Sequence, residues 1–254
     1  MPFIRPAALA ALVVALAGCA QQRPQTGLPQ TVTLRNTETG TARTVSGAAL
    51  AIVVAQREMV RRNYAGAVRL LNEAIRSGQL AGNDLSLAHS VRGDAYYLGG
   101  NAARARDDWR TAVEMNGNNA MALRGMAIIA HMQRKAPESM QYMGRAIAAS
   151  PDNAHLYMTR GLLRLQDRRE LALAHADFDK AVALKPDLSS AYFYRGLVNH
   201  LNGRLAVAKG DYEKALEIDP AESRARQALG MLEQRRAPAD ALAPRSRPNE
   251  VVQF

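Results

Sequence analysis

Histidine, cysteine and glycine-rich segments are the features of this sequence that could support catalysis or bind a cofactor. The five histidines are spread along the chain, at His89, His131, His155, His175 and His200. Their spacing does not match the His-Glu-x-x-His pattern of zinc peptidases, and the chain has no Gly-x-Ser-x-Gly motif and no Gly-x-x-x-x-Gly-Lys-Ser/Thr phosphate loop. A single cysteine, Cys19, excludes an intramolecular disulfide and a cysteine-rich metal site. The sequence therefore predicts a protein that is not an enzyme and binds no cofactor or metal.

The single cysteine lies at the end of an N-terminal targeting segment. Arg5 precedes an apolar run, residues 7–17, that is typical of a secretory signal peptide and too short for a permanent membrane span. The run ends in Leu16-Ala17-Gly18-Cys19, which resembles the bacterial lipobox. That resemblance implies a signal peptide of residues 1–18 and membrane attachment through acyl chains, including palmitate, on Cys19. The alternatives are ordinary cleavage beside a coincidental cysteine and an uncleaved anchor.

The residue after the cysteine bears on the destination of the protein. In lipoproteins of bacteria with two membranes, an aspartate at this position tends to retain the protein at the inner membrane. Here the residue is Ala20. The resemblance therefore implies a lipid-anchored protein of the bacterial cell envelope, at the periplasmic face of the outer membrane.

Residues 19–47 are polar, rich in threonine and interrupted by proline and glycine, which predicts a flexible tether. Residues 31–35 and 42–46 are capable of pairing as a β-hairpin. Because an isolated two-stranded hairpin is only marginally stable in water, we expect this segment to be unstructured.

Three columns of residues recur through the rest of the chain. A small residue stands at Ala67, Ala105, Ser139, Ala174 and Ala208. A bulky residue follows four positions later, at Leu71, Trp109, Met143, Phe178 and Tyr212. An alanine follows three positions beyond that, at Ala74, Ala112, Ala146, Ala181 and Ala215. Each column advances by 38, 34, 35 and 34 residues, so the chain is built from helical repeats that bury a common core.

The segment before each small residue carries its own markers. Arg-Gly pairs recur at residues 92–93, 124–125, 160–161 and 195–196. Turns with Asn118-Asn119, Asp152-Asn153 and Asp187 are suited to cap helices that contain these pairs, because the Asn and Asp side chains can accept hydrogen bonds from free N–H groups. Prolines at 151, 186 and 220 end the second helices.

This order of Gly, small residue, aromatic, Ala and Pro over 34 residues resembles the tetratricopeptide repeat (TPR) family. The resemblance implies an all-α fold, a TPR α-solenoid of helix-turn-helix repeats with a C-terminal capping helix. It covers residues 48–222 as five repeats, at about 48–81, 86–117, 118–153, 154–188 and 189–222. Residues 221–236 are predicted to form the capping helix, and the proline-rich residues 237–254 a disordered tail.

One family column is poorly kept. The aromatic residue that usually follows the glycine by three positions is present only as Tyr96, and Ile128, Arg164 and Asn199 replace it elsewhere. We expect looser packing at those positions.

The resemblance implies a concave groove lined by the first helix of each repeat, where a protein or peptide ligand would bind. The residues expected to contact it are Asp94, Tyr97, Met126, Ile129, Met158, Leu162, Leu165, Phe193, Leu197 and His200. Most of these are apolar, which favours a hydrophobic peptide or helix as the ligand. The alternative is that the same residues pack against the next repeat. The Lys, Asn and Arg residues with which TPR co-chaperones hold an acidic C-terminal peptide are missing, so we expect no binding of a Glu-Glu-Val-Asp-type peptide.

The net charge of +10 permits acidic partners, but the arginines are dispersed and we expect no nucleic-acid binding.

The lipobox, tether and repeats together resemble the TPR lipoproteins of Flp/Tad and type IV pilus assembly. That resemblance implies a protein-protein interaction scaffold that helps a pilus or secretion apparatus assemble. The alternative is a TPR adaptor lipoprotein that organises peptidoglycan hydrolases or proteases.

Overall fold

The computed structural model describes residues 31–35 and 42–236. The predicted signal peptide, Cys19 and C-terminal tail lie outside these residues. The described chain begins with strands β1 (Thr31–Arg35) and β2 (Ala42–Ser46). The helices that follow are α1 (Gly47–Val60), α2 (Tyr64–Arg76), α3 (Gly82–Leu98), α4 (Ala102–Met115), α5 (Ala120–Met132), α6 (Ala136–Ala149), α7 (Ala154–Leu165), α8 (Leu171–Leu184), α9 (Ser189–Leu201), α10 (Leu205–Ile218) and α11 (Ser223–Arg236), with a short 3-10 helix, Arg168–Glu170, before α8.

Each repeat is an antiparallel helical hairpin, with an odd-numbered first helix and an even-numbered second helix. The described residues divide into two compact units, with the boundary between Pro151 and Asp152. The N-terminal unit holds the hairpins α1/α2, α3/α4 and α5/α6, and the C-terminal unit holds α7/α8, α9/α10 and the single helix α11. The all-α helix-turn-helix architecture predicted from the sequence is confirmed.

The three sequence columns form the core of both units. All residues of the small, bulky and alanine columns are 0–1% exposed, with Trp109 the largest side chain among them. Alanines on the second helices allow close approach of neighbouring helices, while the bulky residue fills the space between them. The residues that recur with the repeat period are therefore those buried on one face of each second helix.

The glycines of the Arg-Gly pairs make room for the bulky column. A β-carbon built at Gly125 would lie 2.1 Å from the Trp109 indole, and one at Gly161 would lie 2.7 Å from the Phe178 ring. At Gly196 the closest atom is Tyr212 Cε1, at 2.8 Å. These distances are shorter than any normal carbon-carbon contact, so a side chain at these positions is excluded unless the ring moves.

A predicted N-cap is confirmed in two of the three turns. The Asn119 side chain accepts a hydrogen bond from Ala122 N, and the Asn153 side chain accepts one from His155 N. The prediction at Asp187 is wrong, because the N-cap of α9 is Leu188 and makes no side-chain cap bond. Ser189 begins that helix and donates instead to the carbonyl of Ala215, in the second helix of its own repeat.

The expectation of an unstructured segment before the first helix is wrong for residues 31–35 and 42–46. These residues pair as an antiparallel hairpin whose register places Thr31 opposite Ser46. The hairpin is not isolated, because both strands contact α1. The last strand residue, Ser46, also accepts a hydrogen bond from Ala49 N and so caps α1. Packing and capping supply the stability that a lone hairpin lacks.

Candidate protein-binding site

The predicted ligand contacts of the N-terminal unit converge on Trp109. Tyr97 lies with its ring centroid 5.6 Å from the indole, and Met126 packs against the same cluster. The Asp94 carboxylate accepts a hydrogen bond of 3.0 Å from Trp109 Nε1 and pairs with Arg124 at 2.7 Å. Burial raises the pKa of Asp94, and the opposing effects of Arg124 and Trp109 do not cancel it. Asp94 is thus a structural partner of two neighbours as well as a candidate contact.

The predicted contacts at the end of the C-terminal unit converge on Tyr212. The Phe193 ring lies 5.9 Å from the Tyr212 ring, and Tyr212 Oη lies 3.4 Å from His200 Nδ1. Burial, followed by the charge of Asp211, raises the pKa of Tyr212 to about 12, so the phenol stays protonated at neutral pH. Leu197, half-buried, lies on the same helix as Phe193 and His200.

Two of the predicted contacts are core residues. Ile129 is 7% exposed and Phe193 is 8% exposed, and both belong to hydrophobic clusters. This corrects the expectation that they face a ligand, because the cluster around the bulky residue extends to cover them. The remaining eight are half-buried, which leaves part of each side chain accessible; they are Asp94, Tyr97, Met126, Met158, Leu162, Leu165, Leu197 and His200.

Arg224 adds a cation to the face that holds Phe193. It lies near the start of α11, with its guanidinium 4.9 Å from the Phe193 centroid and 5.2 Å from the Tyr194 centroid. It also donates to Tyr194 Oη at 2.6 Å and to Glu222. The hydrogen bond to Glu222 raises the pKa of Arg224 and lowers that of Glu222, so both remain charged. The predicted capping helix α11 therefore contributes to this face through Arg224, a residue that the repeat pattern does not predict.

A column of buried aspartates also escaped the sequence analysis. Asp108, Asp177 and Asp211 are 6%, 3% and 5% exposed and stand directly before the bulky residues. Each pairs with the arginine of the Arg-Gly pair in its own repeat. These pairs are Arg92–Asp108, Arg160–Asp177 and Arg195–Asp211, with shortest distances of 2.6, 2.6 and 2.5 Å. The signal available in the sequence was an Asp before an aromatic in three repeats.

Around Asp108 the pairing extends to a histidine. The carboxylate contacts His89 Nδ1 at 3.0 Å as well as Arg92. Burial acts to raise the pKa of Asp108, but the hydrogen bonds from Arg92 and His89 outweigh it and hold the pKa below its usual value. A lowered carboxyl pKa stabilises the fold above the unfolded pKa, and that contribution is lost as pH falls through the lowered value.

The two later aspartates engage the residues that replace the family aromatic. Arg164 Nη1 donates to Asp177 at 2.7 Å, and Asn199 Nδ2 donates to Asp211 at 3.0 Å. Asn199 is 1% exposed, so this position is buried although the aromatic ring is missing. A polar contact to a buried carboxylate takes the place of the aromatic ring.

No group of three or more His, Cys, Asp or Glu side chains in the described part of the chain is placed to hold a metal ion. Among the described helices, none combines the length and apolarity needed to cross a membrane. What the arrangement offers chemically is a series of half-buried apolar, aromatic and cationic side chains on first helices, held by a tightly packed frame.

The sequence profile of the tetratricopeptide repeat family matches residues 90–154 and 159–223, about half of the chain. The chain belongs to this family. Proteins with the TPR fold are typically non-enzymatic scaffolds for protein-protein interaction.

The chain matches only part of the length of its curated relatives. Hsc70-interacting protein 1 of Drosophila melanogaster is 32% identical over 110 residues, which is 43% of this chain and 29% of that protein. RNA polymerase II-associated protein 3 of Xenopus laevis is 34% identical over 102 residues, 39% of this chain and 15% of that protein. The TPR chain thus spans less than a third of these relatives.

Solved structures agree on the fold. A thermophilic TPR protein of Thermus thermophilus superposes with a TM-score of 0.62 at 18% identity, covering 74% of this chain and 99% of that one. MamA of Desulfovibrio magneticus RS-1 gives a TM-score of 0.51 at 22% identity, covering 69% and 96%. At such low identity the likeness concerns the fold alone.

Proposed function

We propose that this TPR protein is a lipid-anchored scaffold of the bacterial cell envelope that helps a pilus or secretion apparatus assemble by holding one of its proteins. The support for the anchor is the sequence alone, namely the apolar leader that ends in Leu16-Ala17-Gly18-Cys19. The support for the scaffold is the TPR fold. The observation that carries the choice of surface is the set of half-buried apolar side chains on the first helices of each unit.

The C-terminal unit presents the richer version of this surface. Leu197 and His200 lie on α9, and Met158 on α7 accepts a contact of 3.2 Å from Ser190 Oγ. The Arg224 guanidinium lies over the Phe193 ring, next to these side chains. Apolar side chains with a flexible methionine and one cation suit an amphipathic peptide or helix that carries apolar anchors and an acidic group.

An acidic C-terminal peptide fits this surface poorly. Binding of the peptide carboxylates would need cationic side chains on the first helices. The residues at two of these positions, Ser90 and Ala122, are fully buried and uncharged. Asp94, one turn beyond Ser90, adds a negative charge that is already paired with Arg124. The ligand proposed for this chain therefore differs from the one that the name of Hsc70-interacting protein 1 indicates for that relative.

Photo-crosslinking in cells tests the proposed surface and the identity of its partner. A photoreactive amino acid at Leu197 is expected to capture a secretin or pilus protein, because this side chain is accessible on the proposed face. The same group at Lys180, exposed on the second helix α8, is the control and should capture little. Capture of a wall hydrolase or protease at position 197 would support the adaptor role instead. Equal capture at both positions would contradict the surface.

Fractionation of a Cys19→Ser variant tests the anchor. The substitution removes the thiol that would carry the lipid, and two or three acyl chains at about 0.8 kcal/mol per buried methylene would dominate membrane attachment. We expect the variant to leave the outer-membrane fraction and appear at the inner membrane or in the soluble fraction. Ala20→Ser, which keeps the thiol, is the matched control. An unchanged outer-membrane distribution of Cys19→Ser would refute acylation as the anchor.

A further inference from the structure

The turns that join first to second helices form one edge of the N-terminal unit. This turn edge consists of residues 60–63, 98–101 and 132–135. Each turn begins with an apolar residue that projects into solvent; Val60 is 87% exposed, Leu98 52% and Met132 58%. The bulky core residue follows each of them by 11 positions, so they are equivalent in the repeat. One unpartnered apolar side chain therefore recurs per repeat along the edge.

Two of these turns hold an arginine in a backbone conformation that favours glycine. Arg62 and Arg134 have φ of 61° and 60°, whereas the equivalent positions in other repeats are Gly100 and Gly203, with φ of 84° and 74°. A residue with a β-carbon is strained in this region. Both arginines are exposed, and neither side chain has a hydrogen bond or ion pair among the described residues. The fold thus bears backbone strain at two positions whose side chains are not held by polar contacts with the described part of the chain.

The turn edge carries lysine and arginine within its turns, whereas at the opposite edge Arg76, at the end of α2, and Arg145, which donates to Gly117 O at 3.1 Å, lie beside the turns. Arg61 and Lys135 flank the strained arginines, each within reach of a glutamate on its own hairpin. The turns at the opposite edge, residues 77–81 and 116–119, contain no lysine or arginine. Charge and exposed apolar side chains therefore coincide on one edge.

We propose that the turn edge of the N-terminal unit rests on an anionic lipid bilayer. Val60, Leu98 and Met132 enter the interfacial layer, while Arg62 and Arg134 meet lipid phosphates. Binding by a protein typically uses a contiguous, desolvated cluster of side chains. Single apolar residues separated by one repeat and interleaved with arginines suit a headgroup layer, which accepts each side chain independently. The contact is separate from acylation of Cys19 and from the ligand of the first helices.

A dye placed on either edge of the full chain tests the proposal. In a Cys19→Ser background, Gln133→Cys places one thiol on the turn edge and Asn118→Cys places one on the opposite edge. Each is labelled with an environment-sensitive nitrobenzoxadiazole dye and mixed with vesicles of equal parts phosphatidylcholine and phosphatidylglycerol. The dye at position 133 is expected to brighten and shift to the blue, and the dye at 118 to remain unchanged. No shift at 133 would overturn the proposal and leave the edge to an acidic protein partner. Equal shifts at both positions would overturn it as general adsorption.

A charge variant supplies the second arm. Arg62→Gly/Arg134→Gly removes two cations and relieves the strained turns, so it should not unfold the unit, which emission from Trp109 can verify. Partition onto the same vesicles is expected to fall about 25-fold, at about five-fold for each arginine near an anionic surface. Arg69→Gln/Arg76→Gln removes the same charge from the exposed face of α2 and is the control. The leader is common to all variants, so only their differences count. An equal loss in both double variants would overturn the assignment to the turn edge.

Discussion

Replacing Gly125 by alanine is expected to destabilise the N-terminal unit by about 3 kcal/mol, the upper end of the usual cost of overpacking a core. The added β-carbon would lie 2.1 Å from the Trp109 ring, and the ring has no space into which to retreat. On its other side the indole meets Gly93, where a β-carbon would lie 2.6 Å away, and its Nε1 is held by Asp94. Trp109 is the only tryptophan of the chain, so its emission during urea unfolding reports on this unit directly.

Gly144→Ala is the matched control for this prediction. Gly144 lies within helix α6 of the same unit and is exposed, and a β-carbon added there would have no neighbouring atom within 4 Å. Alanine there should raise stability by roughly 0.5–1 kcal/mol, because glycine loses more backbone freedom than alanine on entering a helix. Similar unfolding midpoints for the two variants would mean that the indole can move aside, contrary to the packing described above.

The core could be read from the sequence because burial repeats. Ala105, Trp109 and Ala112 lie on one face of a helix, and their counterparts in every other repeat are likewise buried. A period of about 34 residues therefore carried both the fold class and the identity of the buried columns. The same periodicity also predicted Ile129 and Phe193 to be accessible to a ligand, but both lie in the core. Periodicity places a residue on a helix face, but it does not say how far a neighbouring aromatic covers it.

The aspartate column was hidden for a physical reason. A charged side chain at a core position is unfavourable in isolation, so hydrophobic patterning assigns it to the surface. Asp211 is tolerated only because Arg195 and Asn199, on another helix, point at it. The sequence shows the arginines and the aspartates 16 or 17 residues apart, and only the hairpin geometry brings them together. The β-hairpin before α1 was missed likewise, because its stability depends on contacts beyond its own residues.

Replacing Asp211 by alanine is expected to cost about 3 kcal/mol of the free energy of unfolding of the C-terminal unit, near the lower end for breaking a buried ion pair. The carboxylate is 5% exposed and accepts hydrogen bonds from Arg195 Nε and Nη2 and from Asn199 Nδ2. Its removal leaves the buried Asn199 amide without this acceptor, and it leaves the mostly buried Arg195 guanidinium with Asp179, whose side chain is 48% exposed, as its remaining carboxylate. In the native protein, burial acts to lower the pKa of Arg195, but the hydrogen bonds and charges of Asp211 and Asp179 outweigh it and raise that pKa. A guanidinium does not lose its proton in proteins, so Arg195 stays charged when Asp211 is removed.

Asp179→Ala separates burial from pairing as the cause, because Asp179 contacts the same arginine. Its carboxylate lies 3.0 Å from Arg195 Nη1, but its side chain is 48% exposed. Solvent screens that contact, so its loss should cost less than about 1 kcal/mol. Far-ultraviolet circular dichroism during urea unfolding compares the two variants, with Arg195→Leu/Asp211→Leu as a third. Removing both partners in favour of apolar side chains should recover much of the loss, since no unpaired charge remains. Equal losses of stability in Asp211→Ala and Asp179→Ala would contradict this prediction. The buried aspartates would then orient their arginines without holding the two helices of each hairpin together.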